Sequence, residues 1–410
     1  MIHQAAERLR LAAIAASPVF YQTPLYRRLA ADPRVELTVI FASSAGVRPY
    51  DAGFGGRMVS WDENLLTGYK HEFLRRADQN DVLKGFFALR DWDVVERIRR
   101  GRFDAIWVHG YSYLTLWFAM LAAWLSGIPV LIREEQTLLH KRPQLRELVR
   151  KTVMKVLFRF ARGLYIGSNN YDFFRAYGMK SEHLFPAPYC VNNQNLQQLA
   201  RQLVPARATI RARLGVGAAD PVILFVGKLT SKKGPLALIE AFSRVRSSLP
   251  CQLLIVGEGP LEQEMRRRLT SAGPTGVVFA GFLNRTEIAD AFVAADIFCL
   301  PSLLNETWGI VVNEAMNFSL PLVVTDKVGS ARDLVQSGKN GLVVPAGNVD
   351  ALEAALEDLV AHPERRREYG RESLEIVSAW HYGLAVDGIV AATKAASGRD
   401  IAAGLLSTNG

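Results

Sequence analysis

The chain has 410 residues, 49% hydrophobic and 22% charged, with a formal net charge of +9, which reads as a globular protein and is long enough for about two to three domains. Its three cysteines, Cys190, Cys251 and Cys299, lie far apart without metal-ligand spacing, which excludes a disulfide framework or a zinc site and favours a reducing cytoplasm. The positive charge fits anionic substrates, a membrane surface or nucleic acid, and does not choose among them.

Short apolar runs alternate with helical stretches, the pattern of parallel sheets covered by helices. Arg8 and Arg10 ahead of Leu-Ala-Ala-Ile-Ala-Ala-Ser imitate a secretory signal. The apolar run is short and Pro18 leads into a polar stretch, so it reads as a first strand, expected over Leu11 to Ser17. Further strands of this series are expected at Val35 to Phe41, Ala105 to His109, Pro129 to Arg133 and Leu164 to Gly167. Asp91-Trp92-Asp93 resembles a metal-binding Asp-x-Asp, but it opens a helix-like run to Arg100 and reads as helix capping. The apolar stretch Leu114 to Ile132 is split by Ser126-Gly127-Ile128-Pro129 into a helix and a short strand, and no transmembrane helix is expected.

Residues 141–162 carry Lys141, Arg142, Arg146, Arg150, Lys151, Lys155, Arg159 and Arg162 against a single acid, Glu147. Leu145, Val149, Val153, Val156 and Phe160 recur there at near-helical spacing, so the segment reads as a basic amphipathic helix. It either rests on anionic lipid or packs on its own sheet; nucleic acid is not expected, because no stacking aromatics interleave the basic stripe. Phe185 to Asn193 has the proline and turn content of a connection between domains. A second series follows, at Val222 to Val226, Gln252 to Val256, Val277 to Ala280, Ile297 to Leu300, Leu322 to Thr325 and Leu342 to Val344. Two such sheets imply a cleft lined by the carboxyl ends of their strands.

The residues with chemistry fall on those ends. Gly227-Lys228-Leu229-Thr230-Ser231-Lys232-Lys233-Gly234 follows a strand, and Lys228 and Lys233 can neutralise a departing diphosphate without a metal. Glu306-Thr-Trp-Gly-Ile-Val-Val-Asn-Glu314 follows another and sets a carboxylate on each side of a helix start near Gly309. The first amides of that helix, Gly309, Ile310 and Val311, are donors for a diphosphate at the positive end of the dipole. Glu314 lies roughly a turn and a half along at 1.5 Å per residue, so the two acids reach hydroxyls on either side of a diphosphate: a sugar and a ribose. Gly257-Glu258-Gly259 lacks the third glycine of a dinucleotide fingerprint, because Glu262 stands there.

Most of residues 220–345 resembles the nucleotide-binding domain of the retaining glycosyltransferase family 4, the group 1 glycosyltransferases. The blocks that carry the resemblance are Phe225 to Leu229 with Lys233-Gly234, Leu254 to Pro260, Ala280 to Leu283, Ala295-Asp296-Ile297, Pro301-Ser302, Glu306 to Met316 and Gly338 to Gly341. It implies an α/β protein of GT-B architecture, two Rossmann-like doubly wound domains facing each other across a cleft. The implied domains are residues 1–190 for the acceptor, 191–380 for the nucleotide-sugar, and a helical segment 381–410 returning to the first.

By the same resemblance Glu306 contacts donor-sugar hydroxyls, Glu314 the ribose, Thr307, Trp308, Gly309 and Ile310 the diphosphate through backbone amides, and the Leu283 backbone the base. Lys228 and Lys233, beside Gly227, clamp phosphate, with lysine standing at 228 where the family usually has arginine. On the acceptor side Gln22 and Thr23 replace a glycine-rich loop, and Glu135 stands near the family's usual histidine, where it is a catalytic candidate beside Glu134, with Arg133 as ionic partner. His109 is either a satisfied strand-end histidine or a ligand contact. The implied reaction moves a sugar, with retention and without metal or cofactor, from a nucleoside-diphosphate sugar to a glycan or lipid-linked acceptor in envelope or exopolysaccharide assembly. The alternatives are a silent nucleotide-sugar-binding protein and a sugar-nucleotide epimerase.

Overall fold

The computed structural model describes residues 8–54, 57–59, 61–79, 83–139, 144–272, 276–304 and 306–398. Its first part runs β1 (Leu9–Ala15), α1 (Thr23–Ala31), β2 (Val35–Phe41), β3 (Tyr50–Phe54), β4 (Arg57–Val59), β5 (Lys70–Phe73), α2 (Asp93–Gly101), β6 (Ala105–His109), α3 (Leu114–Leu125), β7 (Val130–Arg133), α4 (Gln144–Arg159), β8 (Ala161–Tyr165), α5 (Ser168–Ala176) and β9 (Leu184–Pro186). The second runs α6 (Asn193–Leu203), α7 (Arg207–Leu214), β10 (Val222–Val226), α8 (Pro235–Ser248), β11 (Gln252–Val256), α9 (Glu262–Ala272), β12 (Val277–Gly281), α10 (Ile288–Ala294), β13 (Ile297–Leu300), α11 (Ile310–Asn317), β14 (Leu322–Thr325), α12 (Ala331–Leu334), β15 (Gly341–Val344), α13 (Val349–Ala361), α14 (Pro363–Ser378) and α15 (Tyr382–Ser397).

Two parallel sheets result, ordered β5-β2-β1-β6-β7-β8-β9 and β12-β11-β10-β13-β14-β15, with β3 and β4 forming a separate hairpin. Strands such as β10 (Val-Ile-Leu-Phe-Val) are buried along their whole length, because helices cover both faces of the sheet. In each sheet the chain steps outward in one direction and then returns beside its first strand. The order therefore reverses between β1 and β6, and again between β10 and β13. At such a reversal the loops at the strand carboxyl ends diverge and leave a crevice.

The last helix, α15, belongs with the first sheet. Tyr382, Ala385, Val386, Ile389, Val390 and Ala392, spaced for one helical face, join the core formed by β1, β2 and α1. Burial of Val386, Ile389 and Val390 is worth ~1.5–3 kcal/mol each. Approach to the sheet is close enough that a Cβ at Gly388 would lie 1.6 Å from the Pro186 carbonyl oxygen.

At the sheet edges and in α4 the structure goes beyond the sequence expectations. The edge strands β5 and β9 and the β3–β4 hairpin were not expected: Lys-His-Glu-Phe and Leu-Phe-Pro are short and lack an apolar run. In α4 the stripe Val149, Val153, Val156 and Phe160 faces outward, and Met154, Leu157 and Phe158 are the buried residues. Lys141 and Arg142 lie outside the described residues. The motif at Asp91 precedes α2, whose N-cap is Trp92 without a side-chain cap bond; Asp91 Oδ1 accepts from the Asp93 amide at 3.0 Å and its Oδ2 from the Arg76 amide at 2.8 Å, which ties the helix start to the loop after β5. Among the described residues no helix is long and apolar enough to cross a membrane, and no cluster of three or more His, Cys, Asp or Glu is placed to hold a metal.

Candidate active site

A cavity of about 540 Å³ opens at the β10/β13 reversal, between the two sheets. The loop after β10 supplies Gly227, Lys228 and Lys233, the loop after β13 supplies Glu306 and Gly309, and α11 supplies Ile310, Val311 and Glu314. Leu283 comes from the loop after β12.

Backbone contacts lock the two principal loops together. The Leu303 amide donates to the Lys232 carbonyl at 2.8 Å. Gly234 ends the lysine turn at φ 67°, where a Cβ would stand 2.1 Å from the Pro301 oxygen, so only glycine allows this approach. The result is an ion pair between Lys233 Nζ and Glu306 Oε2, both largely buried. Ser302 Oγ donates to the same carboxylate oxygen at 3.5 Å. The Glu306 backbone is fixed in turn by its amide on the Lys327 carbonyl (3.0 Å) and its carbonyl under the Gly329 amide (2.8 Å).

Gly309 caps α11 at φ 84° and its carbonyl accepts the first helical bond, from the Val312 amide at 2.8 Å. The amides of Gly309, Ile310 and Val311 precede that bond and sit at the positive helix end. Thr307 and Trp308 behave differently. Thr307 borders the neighbouring first-domain cavity. The Trp308 indole is buried, donates to Asn313 Oδ1 at 2.8 Å and packs against Tyr189 and Trp380. Its side chain is therefore part of the domain junction.

Glu314 is 3% exposed and its Oε1 is held by Arg285 Nη1, a partner not foreseen from sequence. Glu314 raises the Arg285 pKa further above its usual value. The Arg285 guanidinium lies 4.7 Å over the Phe20 ring, Phe20 packs on Trp61 at 4.6 Å, and Thr286 donates to Asp62 Oδ2 from its amide (2.9 Å) and its hydroxyl (2.5 Å). Phe20, Tyr21, Tyr50 and Trp61 thus bring the first domain over the cavity. These contacts join loops more than 200 residues apart, and no local pattern marks them.

At the β1/β6 reversal a second cavity, about 320 Å³, shares Tyr21 with the first and is lined by Gln22, His109, Glu134 and Glu135 among others. Thr23 is not available to a ligand: it is fully buried and its hydroxyl donates to the carbonyls of Val19 (3.1 Å) and Leu65 (3.4 Å). The Tyr26 hydroxyl lies 3.1 Å from Gln22 Oε1 and 2.8 Å from His109 Nε2, so it links the two side chains. Burial, then the Arg133 charge, holds the His109 pKa well below its usual value, so the ring is neutral.

The expected ion pair of Arg133 with the adjacent acids is replaced. Its Nη2 donates to the Ala187 (2.9 Å) and Pro188 (3.2 Å) carbonyls, and its guanidinium stacks 4.5 Å over Tyr189. Those carbonyls lie just past β9, where the buried guanidinium pairs with them; the Cys190 thiol also donates to the Pro188 carbonyl at 3.6 Å. Glu135 accepts from the Tyr189 hydroxyl. Glu134 is 5% exposed, and burial pushes its pKa up to about 7.

Residues 206–375 match the family described as Glycosyl transferases group 1. A GDP-mannose-dependent alpha-(1-6)-phosphatidylinositol monomannoside mannosyltransferase of Mycolicibacterium smegmatis is 35% identical over 173 residues, 40% of this chain and 45% of the relative. An alpha-D-kanosaminyltransferase of Streptomyces kanamyceticus is 30% identical over 184 residues, 44% of this chain and 47% of the relative. The chain thus matches about half the length of these curated relatives. The crystal structure of Anabaena HepE in complex with UDP superposes with a TM-score of 0.72 at 18% identity, covering 95% of this chain and all of the other, a likeness of fold. The two-sheet architecture is that of the GT-B glycosyltransferases.

Proposed function

With residues 206–375 forming a group 1 glycosyltransferase domain, we propose that the protein transfers a sugar from a nucleoside-diphosphate sugar to a hydroxyl of a glycan or lipid-linked acceptor, with retention of configuration. The observation that carries this reading is the convergence of the Lys233–Glu306 pair, Lys228 and the α11 N-terminus on one cavity. Lysines and helix amides stabilise charge on the departing diphosphate, Glu306 accepts sugar hydroxyls and Glu314 the ribose. The acceptor hydroxyl attacks on the face the diphosphate leaves, its oxygen forms the new glycosidic bond, and its proton passes to the leaving phosphate. Positioning and electrostatics then supply the rate enhancement. No metal is required, because lysine charge takes that part.

Incubation of the protein with a panel of uridine, guanosine and adenosine diphosphate sugars tests this, with release of nucleoside diphosphate as the readout and EDTA in a parallel series. One donor is expected to give slow release that EDTA leaves unchanged. No release from any donor, even with lipid extracts as acceptor, would favour a binding protein, and loss with EDTA would remove the metal-free mechanism.

A cytoplasmic site of action at an anionic membrane surface is part of the same reading. Leu148, Val149, Val153, Val156 and Phe160 of α4 and its end are 42–64% exposed beside Lys151, Lys155 and Arg159. Near an anionic surface each such cation contributes about 1 kcal/mol, so three give roughly 100-fold attraction at low salt. Co-sedimentation with phosphatidylglycerol vesicles is expected, with none on phosphatidylcholine alone, and V153D/V156D is expected to weaken it about tenfold or more. Equal binding by wild type and V153D/V156D would take this face out of the reading.

A further inference from the structure

Ser168, Asn169 and Asn170 open α5 in the first domain, and their side chains divide between the two domains. Asn170 is 1% exposed and is spent within the first domain. Its Oδ1 accepts from the Ile166 amide at 3.0 Å, and its Nδ2 donates at 2.8 Å to the carbonyl of Gln136, a residue that lines the first-domain cavity. Ser168 and Asn169 reach across to the second domain. The Ser168 hydroxyl donates to Asp333 Oδ1 at 2.5 Å, and its amide lies 3.1 Å from both Asp333 oxygens. The carboxylate therefore sits at the positive end of α5, where a helix start favours an anion. Asn169 Nδ2 donates to the Gly329 carbonyl at 2.9 Å.

On its other side Gly329 holds Glu306. Its amide donates to the Glu306 carbonyl at 2.8 Å, and a Cβ on it would stand 2.0 Å from the Thr307 oxygen. The next amide, that of Ser330, donates to the Trp308 carbonyl at 2.9 Å. Glycine gives the loop after β14 wide backbone freedom at this point, so the bonds on both sides of Gly329 decide where it stands. The junction is close-fitting: a Cβ at Gly167 would lie 2.4 Å from the Trp308 ring and 2.6 Å from Asp333 Oδ2.

We propose that Asn169 is a positioning residue for Glu306. Seated by the Ser168–Asp333 bonds, it fixes Gly329 and through it the Glu306 backbone, so docking of the first domain at α5 sets the donor-sugar carboxylate in its working position. The inference rests on the transferase reading above and deepens it, because it makes the geometry of the donor site depend on the opposite domain. The phosphate-binding groups are placed differently. Lys233 is set by the lysine turn and the amides of Gly309 to Val311 by the start of α11, both elements of the second domain. Loss of the Asn169 bond is therefore expected to reach the sugar end of the site and to spare the diphosphate end. The same helical turn holds the Gln136 carbonyl at the first-domain cavity and the Gly329 carbonyl beside Glu306, so it links the loops of both cavities.

The size of the effect follows from how steeply rate depends on placement. A displacement of about 1 Å at a reacting centre costs on the order of 100-fold, and one lost tie out of several loosens Glu306 without releasing it, which corresponds to about tenfold.

The test follows release of nucleoside diphosphate at saturating levels of the donor found active in the panel, for wild type, N169A, N169D, E306Q and N169A/E306Q. N169D keeps the shape of the side chain and loses the amide donor. N169A and N169D are each expected to lower kcat about tenfold or more, with the dissociation constant of the nucleoside diphosphate within twofold of wild type. That constant also reports an intact second domain. Because Asn169 acts through Glu306, N169A is expected to cost less than twofold in the E306Q background, so the two losses do not multiply. Wild-type kcat in N169A or N169D, a matching loss of nucleotide affinity, or a full tenfold loss on top of E306Q would overturn the assignment while wild-type turnover stands. Absence of turnover from every donor in wild type would instead remove the transferase reading on which it rests.

Discussion

Glu306→Gln is expected to lower kcat by on the order of 100- to 1,000-fold while the dissociation constant of the nucleoside diphosphate changes by less than about threefold. Glu306 is 8% exposed, its backbone is fixed at both ends by the loop after β14, and its carboxylate is paired with Lys233. Gln keeps the shape and one hydrogen-bonding oxygen but loses the negative charge, which matters most when the sugar ring becomes electron-poor and its hydroxyls more acidic. A loss confined to the transition state appears in kcat and kcat/KM alike and spares the ground-state affinity. Removing the carboxylate also frees Lys233, which remains beside the diphosphate and keeps nucleotide affinity from falling. Steady-state kinetics with the active donor, together with calorimetric titration of the nucleoside diphosphate, separates the two. Equal, small changes in both would place the reacting sugar away from Glu306.

Glu306 and Lys233 were legible in sequence because each follows a continuous apolar strand, Ile297–Leu300 and Val222–Val226, and because strand carboxyl ends gather at the reversal of sheet order. The interior strands were legible for the same reason: burial on both faces demands unbroken Val, Ile, Leu and Phe. Edge strands such as Lys70–Phe73 escape that demand and leave no periodicity to read. Thr23 was misread because its hydroxyl is consumed by the carbonyl of Leu65, 42 residues away. The connection of Arg285 to Glu314 and Phe20 is tertiary throughout and had no local sign.

That connection gives the second large effect, and it separates stability from affinity. Glu314→Ala leaves Arg285 without its counter-charge, and the pair is well buried, with side-chain exposures of 23% for Arg285 and 4% for Glu314. Loss of one partner of a buried pair costs about 2–4 kcal/mol, much of it from the orphaned charge. E314A is therefore expected to lower the melting temperature of the ligand-free protein and to raise the dissociation constant of the nucleoside diphosphate by roughly 30-fold or more, equivalent to about 2 kcal/mol. R285A/E314A removes the orphan. Its melting temperature is expected to recover toward wild type, with a coupling of about 1–3 kcal/mol between the two positions, while its nucleotide affinity stays as low as that of E314A. Recovery of the melting temperature without recovery of affinity, with R285A alone close to wild type in affinity, assigns Glu314 directly to the ribose hydroxyls; equal losses in R285A and E314A would instead mean that Glu314 serves the nucleotide by anchoring Arg285 against Phe20. If affinity recovers with stability, the loss in E314A came from the orphaned Arg285 charge, and the ribose assignment falls.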